Sequence, residues 1–249
     1  MADAPELKTA EELYKGQKSI LVLVIGNPGT GKSTAMMNLP AKETFIINVM
    51  GKPLPFQKGF LDYKVGDNML VAASATEVIA QMQQFASPSY KPEVKHLIID
   101  DTQYIMATEF MQKVMIKGYD KFSIMANNMW TILVTASKLR GGLKVFILAH
   151  EESTPTERKM KTLGKLLDEK LTPEGLSTMV LFSGVQKGDK SNTYFFQTQN
   201  DGIANAKSPM GMFPTEIPND LQLISQRIDE YYSGISLEDS KLRLVVEKK

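Results

Sequence analysis

None of the 249 residues is cysteine, which excludes disulfides and thiolate metal sites and argues on composition against a structural zinc centre. Arginine is nearly as scarce, with Arg140, Arg158, Arg227 and Arg243 the full set. A nucleotide or small-molecule kinase needs an acceptor-binding lid, usually built with several arginines, so this scarcity tells against that class. Charge of one sign is missing too: 29 Lys and Arg against 28 Asp and Glu leave a formal net charge of +1. Such a balance sets up no global field toward nucleic acid or anionic membrane, so any such surface must be local. The first residues are acidic where an export signal would be basic and apolar. The apolar run 20–25 falls far short of the roughly 20 residues that span a bilayer. These absences predict a cytoplasmic protein with no membrane partner.

What is present is ordinary globular material, with 43% hydrophobic and 23% charged residues, enough for a sizeable core. The expected organisation is an N-terminal extension (1–18), one domain (19–235) and a charged tail (236–249). Residues 19–25 form a continuous branched apolar run closed by glycine, the pattern of a strand buried on both faces. Residues 32–39 read as a helix stopped at Pro40. Strands are expected at 44–49, 94–101 and 143–150, with helices at 76–85 and across 105–140, the latter broken near Gly118. Residues 50–73 give no clear pattern. Strands alternating with helices imply parallel pairing through right-handed crossovers. The polar stretch 151–161 has no apolar period and reads as a mobile loop. Runs 177–185 and 192–198 read as a hairpin extending the sheet antiparallel, and Asn219 as the cap of a last helix, 220–232.

Chemistry concentrates at strand ends. Gly26, Asn27, Pro28, Gly29, Thr30, Gly31, Lys32 and Ser33 complete the P-loop pattern between strand and helix, with Thr34 beside it. Glycines let backbone N–H groups turn toward phosphate oxygens. Lys32 is expected on the β- and γ-phosphates of ATP and Ser33 on Mg²⁺. The apolar run 97–99 ends in Asp100 and Asp101, a Walker B strand in which Asp100 holds the metal through water. Asp101 is the candidate general base, unless it merely caps the next helix, and Glu109, two helical turns on, is the alternative. His150 ends the fourth strand at the same carboxyl edge, either as a γ-phosphate sensor or as a hydrogen-bonded strand-end histidine.

Together with residues 51–56, 118–122 and 206–209, the Walker A, Walker B and Ala149-His150-Glu151 elements resemble those of phage-encoded AAA-type ATPases allied to the RecA superfamily, including phage single-strand annealing recombinases. The resemblance spans about residues 19–232. It implies a RecA-like P-loop NTPase fold: a mainly parallel twisted α/β sheet with helices on both faces and an antiparallel C-terminal β extension. It also implies ring or filament homo-oligomers with ATP between subunits, single-stranded DNA as ligand and a single-strand binding protein as partner. By the same resemblance, Arg158, Lys159 and Lys161 would contact DNA phosphates, and Lys207 would complete a neighbour's site unless it is a solvated loop lysine. One departure is that Asp101 stands where RecA has serine, closer to the acidic pair of AAA proteins. A loader or scaffold ATPase acting on partner proteins is the competing function, with a P-loop kinase behind it.

Overall fold

The computed structural model describes residues 18–115, 118, 120–163 and 172–246. Its centre is β1 (Ile20–Gly26), whose side chains alternate between two cores because successive strand residues face opposite ways. Leu21, Leu23 and Ile25 enter one hydrophobic cluster, while Ile20, Val22 and Val24 enter the other. The same alternation runs through β2 (Thr44–Asn48), β4 (His96–Asp100) and β5 (Lys144–Ser153). Burial on both faces is what continuous apolar runs predict, and it forces covering layers on each side.

Three helices help to cover the first face. The helix α2 (Ala75–Gln84) begins with a capping box in which Ser74 and Glu77 satisfy each other's backbone N–H groups. After it come α3 (Gln103–Gln112) and α4 (Asp120–Ala136), separated near Gly118, whose φ of 104° no continuing helix could hold. The one-turn α5 (Pro173–Leu176) packs against α4. The other face receives α6 (Leu221–Tyr232), with Leu221, Ile224 and Ile228 buried. Its cap is Asp220, one residue beyond the expected Asn219, accepting from Gln222 N–H. Residues 50–73, unreadable in sequence, hold the short α1 (Gln57–Asp62) and edge strand β3 (Met69–Val71).

Eight strands of the nine-stranded sheet run β3-β2-β4-β5-β1-β7-β8-β9, parallel from β3 through β7 (Met179–Gln186), and the ninth, β6 (Arg158–Met160), pairs with β5 off this path. The expected hairpin is there: β8 (Thr193–Gln197) pairs antiparallel with β7, and β9 (Glu216–Pro218) adds beyond it. Because β5 lies between β1 and β4, the P-loop strand and the Walker B strand are separated by one strand. This is a mixed α/β fold, with a mainly parallel sheet covered by helices on both faces.

Two expectations need correction. The segment 151–161 is not a mobile loop: β5 runs on to Ser153 and β6 (Arg158–Met160) returns antiparallel along it. Its anchors are polar, so hydrophobic period could not reveal them. Residues 32–39 do not form an α-helix but tight turns around a 3₁₀ segment, Thr34–Met36. Met36, Met37 and Leu39 N–H groups each bond three residues back. With Pro40 extended immediately after, only about two turns fit, and the tighter winding uses them.

The expected charged tail also takes part in the fold, since Leu244 is 5% exposed within the second cluster and Leu237 and Leu242 pack against it. Leu244→Ala should cost about 2 kcal/mol or more in urea denaturation, as a buried leucine truncation does. An unchanged midpoint would mean that the tail is detached.

Candidate functional site

Each part of the P-loop is shaped by what stands behind it. Gly26 closes β1 where a Cβ would overlap Ser183 Oγ on β7, so no side chain fits. Gly29 and Gly31 hold φ of 81° and 86°, which only glycine adopts without strain. Tyr194 and Asn219 press against Gly31 from the C-terminal extension, and the hydroxyls of Thr30 and Ser183 meet at 2.6 Å. Within this frame Lys32, 7% exposed, donates to the carbonyls of Gly26 and Asn27 at 2.8 and 3.0 Å. Burial lowers its pKa, opposed by the charges of Asp101 and Asp100. Since the following segment is 3₁₀ and short, aligned helix dipoles add little, and the backbone amides and Lys32 supply the positive potential.

Ser33 Oγ donates to Asp100 Oδ1 at 3.0 Å. Parallel register sets Asp100 opposite Asn48 and His150 opposite Gly26, so three strand ends meet at one carboxyl edge. The chain turns sharply after Asp100: Asp101 has φ of 62°, a left-handed conformation that Asp tolerates better than most residues. Its carboxylate takes a hydrogen bond from Lys52 Nζ at 2.7 Å and lies 3.7 Å from His150 Nε2. The Tyr104 ring meets His150 edge-on at 5.6 Å, and Gln103 Oε1 accepts from His150 N–H. Burial, then the charge of Lys32, pushes the His150 pKa down, so the ring is neutral near pH 7.

P-loop residues, Asn48, Lys52, Pro53, Pro55, Asp100, Asp101, Tyr104 and His150 line one cavity of about 350 Å³. That is room enough for a small ligand. Asn48, Lys52 and Tyr104 were missed in sequence, although Lys52 sits in the 51–56 segment that carries part of the resemblance. A larger cavity of about 720 Å³ opens beside Glu43 at the start of β2, but its lining shares nothing with the P-loop cleft. Glu43 is paired there with Lys95 at 2.9 Å.

Other candidates lie apart. Glu109, the alternative base, is outside the cavity lining; it is buried and accepts from Asn128 of α4 at 2.7 Å. Lys207 pairs its backbone with Val180 of β7 and lines no part of this chain's own cleft. Arg158, expected on DNA, is turned inward. Its Nε and Nη2 donate to both oxygens of Glu151 at 2.8 and 2.9 Å, and its guanidinium lies 5.1 Å from the Phe182 ring centroid. A guanidinium so engaged has little left for a phosphate. Lys159 lies 3.7 Å from Glu157, and Lys161 is exposed while its N–H donates to His150 O at 2.8 Å.

Among the described residues no group of three or more His, Asp or Glu could hold a metal alone. A hard cation sharing Ser33 Oγ and the Asp100 carboxylate with substrate phosphates and water fits this oxygen donor pair, which is how Mg²⁺ is usually bound.

Fold and site together define a P-loop protein of the mixed α/β class. No family model matches the sequence, and no curated protein does either. Similar solved structures include a KaiC-like protein from the hyperthermophilic archaeon Pyrococcus horikoshii, 12% identical, covering 81% of this chain and 85% of that one with a TM-score of 0.47. No described helix is long and apolar enough to cross a membrane.

Burial, reinforced by the charge of Asp101, raises the Asp100 carboxyl to about 6, while Ser33 and Lys32 act the other way. A folded value above the unfolded one means the folded chain keeps the proton longer. The resulting stability is full below about pH 4 and lost as pH rises through about 6. Without metal, the urea midpoint of the wild type should fall between about pH 4.5 and 7 more than that of Asp100→Asn. Equal slopes would show an ordinary carboxylate.

Proposed function

We propose that this chain is a Mg²⁺-dependent ATPase that couples hydrolysis to single-stranded DNA in annealing or recombination. The observation that supports the catalytic half is the meeting of Lys32, Ser33, Asp100, Asp101 and His150 in one cavity. Loop amides and Lys32 hold the β- and γ-phosphates, and Ser33 and Asp100 hold Mg²⁺. The metal, when bound, neutralises phosphate charge. Asp101 accepts a proton as water attacks the γ-phosphorus; the bond from γ-phosphorus to the bridging oxygen breaks, and ADP leaves. Neutral His150 donates to a γ-phosphate oxygen or to Asp101, according to tautomer.

The DNA half rests on the resemblance and on the β5–β6 hairpin. With Arg158 committed to Glu151, the contacts assigned to DNA reduce to Lys159 and Lys161. The bond from Lys161 N–H to His150 O joins that strand to the nucleotide site in one step. In a ring or filament, Lys207 would serve the cleft of a neighbouring subunit.

Asp101→Asn should bind Mg·ATP with near wild-type affinity and hydrolyse it at least about a hundredfold more slowly, the usual loss when a general base is removed. Steady-state phosphate release with a parallel binding titration reads this, and an undiminished rate would take the role of base from Asp101.

Replacing Lys159 and Lys161 together by alanine should flatten the salt dependence of single-stranded DNA binding by about 1.4, at roughly 0.7 per phosphate contact. An oligonucleotide titration at several salt concentrations measures the slope. An unchanged slope would exclude the hairpin lysines, and a wild type indifferent to DNA would favour the loader reading.

A further inference from the structure

We propose that Lys52 is the second phosphate-binding cation of this site, leaving Asp101 for the terminal phosphate of a bound triphosphate and so distinguishing ATP from ADP. This rests on the ATP-site reading above and adds a residue that the P-loop pattern does not contain.

The backbone around Lys52 is fixed, while its ammonium ends in a half-exposed ion pair with Asp101. Asn48 Nδ2 donates to Lys52 O at 2.7 Å, fixing the turn at the carboxyl end of β2. Gly51 takes φ of 62°, and a Cβ there would come within 3.1 Å of Val71. Pro53 and Pro55 stiffen the chain on its far side and line the same cavity as the P-loop. From this mount the four-carbon side chain reaches into the cleft, where its ammonium lies 4.9 Å from the Tyr104 ring centroid and its side chain is 56% exposed. A half-solvated lysine ion pair is weak, and the flexible stem lets the charge exchange partners with little rearrangement.

The charges say which partner it would take. Two carboxylates, Asp100 and Asp101, face two ammonium groups, Lys32 and Lys52, across one cavity. Lys32 is held close to the loop by the carbonyls of Gly26 and Asn27, whereas among the described residues Lys52 is held by Asp101 and the face of Tyr104. A triphosphate brings an additional anionic group beyond the diphosphate, and Lys52, adjacent to the proposed base in the same cavity, is placed to join Lys32 in meeting it. Moving Lys52 to that group also breaks its 2.7 Å ion pair with Asp101. The base is thereby released only when there is a γ-phosphate to attack. If Lys52 were merely a counter-ion for Asp101, its loss would affect diphosphate and triphosphate alike.

Calorimetric titration of the full chain with Mg·ADP and with Mg·ATPγS, a slowly hydrolysed triphosphate, separates the two. The wild type should bind the triphosphate more tightly. Lys52→Met should lose about tenfold or more in triphosphate affinity, the worth of a charge-assisted hydrogen bond, while ADP affinity stays within about twofold. Lys52→Arg should keep most of the preference because the cation is retained. A triphosphate-to-diphosphate ratio unchanged in a folded Lys52→Met overturns the proposal and leaves the ATP site intact. A wild type that binds neither nucleotide overturns both.

Discussion

The site depends on one constraint, the insertion of β5 between β1 and β4 in parallel register. Gly26 is thereby set opposite His150, and Asp100 opposite Asn48, so four neighbouring strands bring these residues to one edge of the sheet. No side-chain contact could create that convergence by itself. It arises from backbone hydrogen bonding between strands buried on both faces, where a register slip by one residue would reverse every side chain between the two cores. The alternation of Leu21, Leu23 and Ile25 against Val22 and Val24 makes such a slip costly.

The convergence has an electrostatic consequence. Asp100 and Asp101 are adjacent in sequence yet differently placed: the first is buried beneath Ser33, and the second turns back through a left-handed conformation to meet Lys52 and His150. Burial raises Asp100 and lowers Lys32, so both groups are held against their preference for solvent. A bound metal and phosphate would relieve both penalties at once. Stability given up to this burial is thus available as affinity for metal and phosphate.

The parts of this site legible in sequence were those written as apolar runs ending in a polar group. β1 with the P-loop, β4 with Asp100 and Asp101, and β5 with His150 all have that form, because a doubly buried strand must be apolar until it reaches the edge. The features that escaped had other causes. Lys52 and Asn48 lie at a strand end but belong to a glycine and proline turn whose fold is set by one side-chain bond, from Asn48 to the Lys52 carbonyl. The 3₁₀ segment after the P-loop reads as helix because its apolar spacing suits either winding over so short a span. The β5–β6 hairpin was hidden because its anchor is the Arg158–Glu151 pair over Phe182, a polar link across seven residues with no hydrophobic period. The same polarity that suggested a mobile loop turned out to fold it.

The C-terminal antiparallel strands have a role that stems from the geometry of β7. Successive residues of a strand face opposite ways, and β7 uses two of them on different loops. Phe182 lies beneath the Arg158 guanidinium of the hairpin, while Ser183 meets Thr30 of the P-loop and leaves Gly26 no room for a side chain. On the next strand Tyr194 presses against Gly31, and Asn219, just past β9, donates to the Thr30 carbonyl at 3.4 Å. The P-loop therefore leans on β7, β8 and the turn before α6 and not on a long helix of its own. With only a 3₁₀ segment after Ser33, that bracing replaces the rigidity a full helix would have given, and the antiparallel extension is part of the phosphate site.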